Sequence, residues 1–478
     1  MTTNWVVLKF GGTSVSGRAQ WEVIARLAQE RRAQGQRVLL VCSAVAGVTN
    51  DLAALADEPG SEEKLVLIMN RHRRLAADLE VSGSDFLEMA ESTLRRCAQV
   101  LSRGEDFAAR AELLSVGEWL STRIGSLFLQ RFMPVSWVDV REYLGIQDEP
   151  ELSPARQWLS ASCAPGADAA LRQRWEELQP VVITQGFIAR APDGRTALLG
   201  RGGSDTSAAL LAGRLGAREL EIWTDVPGLF SADPRLVSQA RLLTELDYDE
   251  ALEMAASGAK VVHPRSIRAA AATGTPMVIR DTTRPRLTGT RILHESAHPG
   301  GVVAAAQGVK AITCQTDMVV LLLQKIDIRR EVGFLARVFD IFRRHGVSID
   351  LVATSETTTS VAINRPANHL DDSALQDLVS GLETQCTVQV FSHCVCVNLV
   401  GSAVRTALAD LHKTLRFFDE HPLLMLSLSA NDRCLSLLIN EQDHEQLLKQ
   451  AHEVLIPSGA AASADPFGER WLDISGQA

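Results

Sequence analysis

The amino-acid sequence predicts an α/β protein in which a large N-terminal domain is followed by two smaller, repeated α/β units. The first observation is that apolar stretches typical of buried strands end in turns rich in glycine and hydroxyl side chains, and helical periodicity follows these turns. The second is that a strand–helix–strand–strand–helix order occurs twice after Val309, with a repeat of ~70 residues. With 478 residues the chain is long enough for two or three domains.

Composition and charge indicate an ordinary globular protein, with 46% hydrophobic and 22% charged residues. The net charge of -10 argues against nucleic acid or an anionic membrane as the main partner. The N-terminus lacks the pattern of a signal sequence, and no apolar run approaches the ~20 residues that span a membrane. The eight cysteines include no C-x-x-C pair, and Cys394 and Cys396 alternate along a predicted strand, which favours packing over metal binding. We therefore expect a soluble, reduced, cytoplasmic protein without a metal site of its own.

The first predicted strand, Trp5 to Phe10, enters a tight turn that contains Gly11 and Gly12, and a helix follows. Paired glycines allow a ligand close to the backbone, and Lys9 adds a cation, so the turn fits a phosphate group. It differs from the P-loop, in which the lysine follows the glycines. The alternative is a plain turn without a ligand.

A second strand, residues 37–41, leads into a turn of small and hydroxyl residues that includes Ser43 and Thr49. Two interpretations of this turn remain open, a ligand-binding turn and a plain strand-to-helix connection. In the helical block that follows, residues 62–132, Glu118 has mainly apolar or small neighbours in the sequence. Carboxylates are seldom buried without a partner, so Glu118 is either a site residue or a solvated helical glutamate.

The segment from Gly200 to Ala209 follows predicted strands and frames Arg201 with three glycines. Arginine can bind a carboxylate or phosphate through two parallel hydrogen bonds, and Ser204 or Asp205 can cap the next helix. A simple turn would not need the arginine. This pattern favours an anion-binding site.

Two later turns add further candidates. The strand 219–223 ends in a long polar turn, residues 224–235, and ligands bind at the carboxyl ends of strands in open α/β sheets. Lys260, in the glycine turn 257–260, is a second candidate phosphate cation. His263 precedes a proline and is predicted to be extended and structural.

Together these stretches resemble the aspartate kinases of the amino-acid kinase superfamily, over residues 5 to about 295. The matching motifs are Lys9-Phe-Gly-Gly-Thr-Ser14, Ser43-x-x-x-Gly-x-Thr49-Asn50, Ser115-x-Gly-Glu118, Gly200-Arg-Gly-Gly-Ser-Asp205, Trp223-Thr-Asp-Val-Pro-Gly228, Asp233-Pro-Arg235 and Gly258-Ala-Lys-Val-x-His-Pro264. The resemblance implies a three-layer α/β/α fold with a mostly parallel central sheet in residues 1–300, and ATP with Mg²⁺ and L-aspartate as substrates.

The resemblance also implies a role for each matching residue. Lys9 would hold the transferring phosphoryl group and Asp205 would orient Lys9, so these two are the predicted catalytic residues. Arg201 would bind the α-carboxylate of aspartate, and Glu118 would receive its ammonium group. The other predicted aspartate-site residues are Ser43, Thr49, Gly202 and Ser204. The predicted nucleotide site comprises Lys9, Gly11, Gly12, Thr224, Asp225, Phe230, Arg235 and Lys260.

The sequence departs from the family at Phe230, where many relatives have tyrosine; we expect altered nucleotide affinity but retained activity. The chemistry suits the other residue types. The aspartate side chain, with an ordinary pKa of ~3.9, is ionised at neutral pH, so the nucleophile needs no general base. The site must instead neutralise two anions and hold them in line, which lysines, glycine amides and Mg²⁺ can do. The product would be 4-phospho-L-aspartate.

The two repeats, residues 308–385 and 386–456, resemble the tandem ACT domains of feedback-regulated aspartate kinases. Residues 333–335, 348–351 and 354–356 carry the similarity. In lysine-sensitive relatives these positions bind the effector, which implies lysine here, with threonine next; a purely structural dimerisation module is the alternative. Because such units pair across subunits, a homodimer or larger assembly is expected. The implied effector residues are Phe334, Leu335, Asp350, Thr354 and Ser355.

Residues 457–478 are predicted to be a linker or tail because small residues dominate their first half. The chain could be the kinase part of a fusion with diaminopimelate decarboxylase. Two other functions remain open, a kinase for another small acid such as acetylglutamate or glutamate, and a non-catalytic amino-acid sensor. The Ser115-x-Gly-Glu118 motif and the repeats argue against the first, and Lys9 with Arg201 against the second.

Overall fold

A computed structural model describes residues 3–82, 84–259, 261–294, 308–325, 331–407, 423–456 and 466–476. These residues form two compact units. The first comprises residues 1–229, 244–252 and 260–301, and the second comprises residues 230–243, 253–259 and 302–478. No helix in the described ranges combines the length and the apolar character that a membrane crossing requires.

Strands and helices alternate through most of the first unit. The strands and helices of both units are named here in chain order. The strands are β1 (Trp5–Phe10), β2 (Arg37–Cys42), β3 (Val135–Trp137), β4 (Val181–Gln185), β5 (Ile188–Arg190), β6 (Thr196–Leu198), β7 (Glu219–Thr224), β8 (Arg241–Leu243), β9 (Glu245–Asp247), β10 (Met277–Asp281), β11 (Thr290–Leu293), β12 (Gly308–Gln324), β13 (Leu351–Thr354), β14 (Thr358–Asn364), β15 (Thr387–Ser402), β16 (Met425–Leu428), β17 (Cys434–Asn440) and β18 (Phe467–Arg470). The helices are α1 (Arg18–Ala33), α2 (Val48–Asp57), α3 (Glu62–Asp78), α4 (Ser84–Leu101), α5 (Phe107–Leu129), α6 (Pro154–Leu159), α7 (Ala169–Glu176), α8 (Gly203–Leu215), α9 (Tyr248–Ala256), α10 (Pro264–Ala271), α11 (Phe334–Arg344), α12 (Asp372–Glu383), α13 (His444–Leu455) and α14 (Trp471–Ser475).

The first unit is built on an eight-stranded sheet with the order β3-β4-β2-β1-β7-β10-β11-β9. The pairs from β3 to β10 are all parallel, and only β10 and β11 run antiparallel. The predicted, mostly parallel sheet is therefore confirmed. Because parallel strands end at one edge of the sheet, the loops that follow β1, β2, β4 and β7 meet there.

Helices cover both faces of this sheet, as the alternation along β1 shows. Val6, Leu8 and Phe10 belong to the large core that includes residues of α1 to α5. Lys9 points to the opposite face, because successive side chains of a strand alternate, and there it reaches α8. The three-layer α/β/α prediction agrees with this arrangement.

The second unit contains a six-stranded sheet with the order β13-β14-β12-β15-β17-β16. The first predicted repeat has the expected order of strand, helix, strand, strand and helix, as β12, α11, β13, β14 and α12, and β15, β16, β17 and α13 follow in the second. For the second repeat, the sequence predicts a helix over residues 404–418. Residues 408–418 lie outside the described ranges, and Val404–Ala407 form a short 3-10 helix.

The two repeats share their longest strands. The second half of β12 pairs with β14, whereas its first half, from Gly308 to Gln315, pairs with the second half of β15. Each repeat therefore completes its sheet with a strand segment from outside its predicted range. The sequence predicts a strand over residues 395–400 at the start of the second repeat, and in the structure this range is part of the longer β15, which starts at Thr387.

Three segments differ from the expected domain layout. Residues 230–243 and 253–259 lie within the predicted kinase domain, 1–300, but pack in the second unit. The expected linker over 457–478 does not include residues 466–476, because β18 pairs with β8 and α14 follows directly. Hydrogen bonding to β8 thus makes this part of the chain a structural element of the second unit.

Candidate active site

The centre of the site is an ion pair between Lys9 and Asp205. Lys9 lies on β1 between the parallel strands β2 and β7, in register with Val41 and Ile222, so its backbone is fixed in the middle of the sheet. Its Nζ lies 2.6 Å from Oδ1 of Asp205, and the side chains are only 10% and 13% exposed. Asp205 stands in the first turn of α8. The pair therefore fixes the ammonium group of Lys9 at the edge where the parallel strands have their carboxyl ends.

The glycine turn after β1 is shaped by close contact with the loop that follows β2. A Cβ at Gly12 would lie 2.9 Å from the carbonyl oxygen of Ala44, so any side chain there would push the two loops apart. The loop is held from its other side by α5, where the Ser121 hydroxyl donates to the carbonyl oxygen of Ser43 at 2.6 Å. Both loops thus present their backbones to the same space.

The third wall is the turn that starts α8. Gly200 and Gly202 have φ of +71° and +66°, a region that side chains rarely occupy. Gly202 caps α8, so the free amides of the first turn point toward the turn that carries Arg201, which is exposed. His263 packs against Gly202, and its Nδ1 accepts from the Arg265 amide at 3.2 Å. This contact agrees with the structural role predicted for His263.

Gly202→Ala is expected to destabilise the protein more than an ordinary glycine substitution. A Cβ there would lie 2.3 Å from Cβ of His263, in addition to the strain of a positive φ. We expect a loss of about 2 to 4 kcal/mol in the free energy of unfolding, measured by urea denaturation. Gly35→Ala is the matched control, since Gly35 has φ of +77° but open space around it, and should lose about 1 kcal/mol. Equal losses in the two variants would contradict this packing.

Glu118, on α5, is buried in the same cavity and is not a solvated glutamate. It is 3% exposed, and Oε2 has no hydrogen-bond partner. Burial raises the pKa of Glu118 to about 8, although backbone hydrogen bonds, including one from Ala44, lower it in part. A buried carboxylate with an open oxygen is suited to receive a cationic ligand.

These residues line one cavity of about 560 Å³ in the first unit. Lys9 and Arg201 supply positive charge, whereas Glu118 and Asp205 supply carboxylates. The further lining residues are Gly12, Ser43, Ala44, Val45, Ala46, Gly47, Thr49, Asn50, Leu114, Leu159, Phe187, Leu198, Gly200, Gly202, Gly203 and Ser204. The structure therefore brings the predicted catalytic and aspartate-binding residues together, and Gly12 of the predicted nucleotide site lies with them.

The sequence prediction missed the apolar side of the cavity. Phe187 lies there with φ of +69°, an uncommon value for a bulky residue, and its amide donates to the Ser207 hydroxyl at 3.0 Å. Leu159 and Leu198 complete this side. The Gly186-Phe187 pair directly after β4 was the available signal, because β4 ends at the same edge as β1.

The other predicted nucleotide residues lie in different places. Thr224 is the last residue of β7, the strand next to β1, and Asp225 follows it; the Thr224 hydroxyl donates to Asp225 at 3.1 Å. Phe230 and Arg235 belong to the second unit. Phe230 is buried there, and Arg235, 83% exposed, pairs with Asp233 at 2.6 Å. Lys260 lies outside the described residues, and the nucleotide roles remain predictions.

The predicted effector residues all lie in the second unit. Phe334 is 1% exposed and packs in the core at the start of α11. Its backbone amide donates to the carbonyl oxygen of Glu331 at 3.2 Å. Leu335 is half-buried against the same core. Asp350 precedes β13 and accepts from the Asn364 amide at 2.7 Å, whereas Thr354 and Ser355 lie at the other end of that strand.

Comparison with known proteins identifies relatives for nearly the whole chain. The amino acid kinase family matches residues 4–281. Lysine-sensitive aspartokinase 3 of Escherichia coli is 32% identical over 463 residues, covering 94% of this chain and 99% of that relative. The crystal structure of E. coli aspartokinase III with aspartate and ADP superposes with a TM-score of 0.77, at 31% identity, over 95% of this chain and all of that one. The same enzyme with lysine and aspartate gives a TM-score of 0.75, at 32% identity and the same coverage.

Proposed function

Since the chain belongs to the amino acid kinase family and is an aspartate kinase, we propose that the cavity around Lys9 transfers the γ-phosphoryl group of ATP to the side-chain carboxylate of L-aspartate. The observation that carries this proposal is the composition of the cavity. One lysine–aspartate pair, one exposed arginine and one buried glutamate with an open oxygen surround the same space. These groups match the charges that the reaction brings together.

Aspartate would be bound by the two charged side chains of the cavity that are not part of the Lys9–Asp205 pair, Arg201 and Glu118. The guanidinium of Arg201 can bind the α-carboxylate through two parallel hydrogen bonds. The open Oε2 of Glu118 can accept from the α-ammonium group. The side-chain carboxylate would then point toward Lys9. Ser43, Thr49 and Ser204, which line the cavity, would complete the binding of aspartate together with the backbone of Gly202.

Phosphoryl transfer would depend on positioning and charge neutralisation. Asp205 holds Nζ of Lys9 in place, so that the ammonium group meets the oxygens of the transferring phosphoryl group. The amides of Gly12, Ser204 and Asp205 would bind further phosphate oxygens. The amides of Gly11 and Gly203 instead donate to the carbonyl oxygens of Trp223 and Gly200. Because the nucleophile is already ionised at neutral pH, no proton acceptor is required. The product is an acyl phosphate.

The nucleotide would extend from Lys9 toward Thr224 and Asp225, at the carboxyl end of the neighbouring strand. Mg²⁺ is proposed as part of the substrate. In the described ranges, no three side chains of the ligating types cluster to hold a metal ion. The phosphates themselves would therefore supply most of the ligands of the ion, as is usual for Mg²⁺ in kinases.

The experiment that tests this function compares acceptor acids. ADP release should depend on L-aspartate and be near background with L-glutamate or N-acetyl-L-glutamate. Glu118 favours an unblocked ammonium group, which N-acetylglutamate lacks. If N-acetylglutamate were the better acceptor, the chain would be a kinase for another acid. If ADP bound but no acid supported turnover, the sensor would be the better interpretation.

We further propose that lysine is the feedback effector and binds the second unit. Asp350 and Thr354 are four residues apart along an extended strand, so they are separated by about 13 Å. An effector that reaches both ends needs charged groups at both ends of a long chain. Lysine has this shape and threonine does not. The exposed edge strand β13 is also available for pairing with a second subunit, which supports a homodimer or larger assembly.

Asp350→Asn is expected to weaken inhibition by lysine at least tenfold without changing turnover in its absence. The variant removes the charge that would bind an ammonium group, and Asp350 lies outside the catalytic unit. Dose–response curves of the rate against lysine measure the change. Asp340→Asn, on the surface of α11, is the matched control and should behave like the unchanged protein. A normal response in Asp350→Asn would place the effector elsewhere, and a protein insensitive to lysine and threonine would favour a structural role for the repeats.

The remaining proposals concern cellular context. The reaction would be the first step of lysine, threonine and methionine biosynthesis. All eight cysteines lie in described residues and form no disulfide with one another, which supports a reducing, cytoplasmic location. A fusion with diaminopimelate decarboxylase stays a prediction, which the mass of the natural polypeptide would test.

A further inference from the structure

Arg71, on α3, contacts the segment that leads from the loop after β2 into α2. Its Nη1 donates to the carbonyl oxygen of Ala46 at 3.1 Å. Its Nε lies 3.1 Å from Oδ2 of Asp51, which stands in the first turn of α2. One guanidinium group therefore bridges the two ends of the segment 46–51, and all of these residues belong to the first unit.

The contact with Arg71 is closely packed at Gly47, between the two bridged residues. Gly47 has φ of +82° and caps the start of α2. A Cβ at Gly47 would lie 2.9 Å from Nη1 of Arg71, so the guanidinium group lies directly against this part of the backbone. Only glycine adopts such a φ readily and also allows so close an approach. The bridge is therefore a specific contact with the backbone as well as an ion pair.

The bridged segment forms part of the wall of the cavity around Lys9. Four of its residues line the space that also contains Glu118, namely Ala46, Gly47, Thr49 and Asn50. The preceding residue Ala44 contacts Glu118 directly, through a backbone hydrogen bond to its carboxylate. The position of the segment 46–51 thus helps to set the shape of the cavity beside the open oxygen of Glu118.

Two other hydrogen bonds fix the same loop at earlier positions. The Ser121 hydroxyl donates to the carbonyl oxygen of Ser43 at 2.6 Å, and the Ser16 hydroxyl accepts from the Ala46 amide at 3.2 Å. Both of these bonds act before Gly47, whereas Arg71 acts on both sides of it. The part of the wall that enters α2 is accordingly held by Arg71.

We propose that Arg71 is a positioning residue for the acceptor acid, which holds the segment 46–51 in place beside Glu118. The inference rests on the function proposed above, in which Glu118 binds the α-ammonium group of aspartate. Arginine suits this role because its planar group presents several donors in a fixed geometry, whereas lysine offers a single point charge. Arg71 acts on the acid through this segment of the backbone.

The test is Arg71→Ala in the full chain, with the KM for aspartate, the KM for ATP and kcat measured separately. We expect the KM for aspartate to rise about tenfold or more, whereas the KM for ATP and kcat change less than about threefold. Arg71→Lys keeps the charge without the fixed pair of donors, so it should show most of the same rise. Arg73→Ala is the matched control, since Arg73 pairs with Glu91 at 2.7 Å on the same helix, and all three constants should stay unchanged.

Chemical rescue separates positioning from a general loss of stability. Ethylguanidine replaces the atoms that Arg71→Ala removes, and the Arg71 side chain is 39% exposed, so the additive can enter from solvent. It should return the KM for aspartate of Arg71→Ala to within about threefold of the value for the unchanged protein. Hydrogen exchange of the amides in 47–51 should be faster in Arg71→Ala and slow again with the additive.

Three results would overturn the inference: an unchanged KM for aspartate in Arg71→Ala, a normal KM in Arg71→Lys, or an equal rise in Arg73→Ala. A purely structural role would lower the melting temperature of Arg71→Ala without changing this KM. Failure of the proposed function would look different, because the unchanged protein itself would then show no turnover that depends on aspartate.

Discussion

Lys9→Ala is expected to lower kcat at least about a thousandfold while the protein remains folded. The substitution removes the cation that meets the transferring phosphoryl group, and such electrostatic stabilisation supplies a large part of catalysis by kinases. It also leaves Asp205 without its ion-pair partner, only 2.6 Å away in the unchanged protein. Turnover under saturating substrates measures the loss, and circular dichroism with thermal unfolding measures the fold.

Lys64→Ala provides the control for Lys9→Ala. Lys64 pairs with Glu58 at the surface of the same unit, and surface pairs contribute little. We expect its kcat to equal that of the unchanged protein. A folded Lys9→Ala variant that keeps near-normal turnover would refute the assignment of Lys9 as the catalytic cation.

Glu118→Gln is expected to raise the KM for aspartate by about 30-fold or more, because an ammonium group would lose its buried partner. In the unchanged protein, the KM for aspartate should also depend on pH in a way that the variant lacks. Burial raises the pKa of Glu118 to about 8, so most molecules hold a protonated Glu118 at pH 7. Since the ammonium group needs the ionised form, the KM for aspartate should fall as the pH rises from about 6.5 to 8.5. Initial rates over this range measure both effects.

The free energy of unfolding of the ligand-free protein should also depend on the ionisation of Glu118. As the pH rises, stability should decrease while aspartate binding improves. The native carboxyl keeps its proton up to a pH of about 8, whereas the unfolded one loses it near ~4.3. The native state therefore binds more protons in between, and its stability decreases as the pH rises through this window. Glu118→Gln lacks this loss, so it should be more stable than the unchanged protein at pH 8.5 by roughly 3 to 5 kcal/mol, and similar to it near pH 4.

Glu112→Gln is the matched control for Glu118→Gln on the same helix. Glu112 pairs with Arg96 near the surface, so its substitution should change neither the KM for aspartate nor the pH dependence of stability. A pH-independent KM in the unchanged protein would show that Glu118 does not bind the ammonium group.

Local patterns in the sequence predicted the parts of the site that depend on one strand and its turn. Lys9 with its glycines, and Arg201 with its glycines, have chemical signatures within a few residues. Their meeting could not be predicted from spacing, since Lys9 and Asp205 are far apart in the chain and meet only because α8 lies on the Lys9 side of β1. Only the resemblance to aspartate kinases predicted that Lys9 and Asp205 belong to one site.

The sequence could not predict which side chains of the site are buried. Glu118 was compatible with a solvated helix face, and its position on the cavity follows from the packing of α5 against the loop after β2. Phe187 was missed because its local signal is a single Gly-Phe pair after β4, and residue type does not predict the positive φ of Phe187. Residues 230–243 pack in the second unit through partners far along the chain, which include Ile312, His452 and β18. No local pattern encodes such partners.

Trapping of the acyl phosphate with hydroxylamine tests the central claim most directly. The full chain is incubated with ATP, Mg²⁺, L-aspartate and hydroxylamine, and the hydroxamate is identified by mass spectrometry against the two possible aspartyl hydroxamates. We predict the β-aspartyl hydroxamate in the unchanged protein and none above background in Lys9→Ala. The α-isomer, or no hydroxamate from a folded protein that binds ADP, would contradict phosphorylation of the aspartate side chain in the Lys9 cavity.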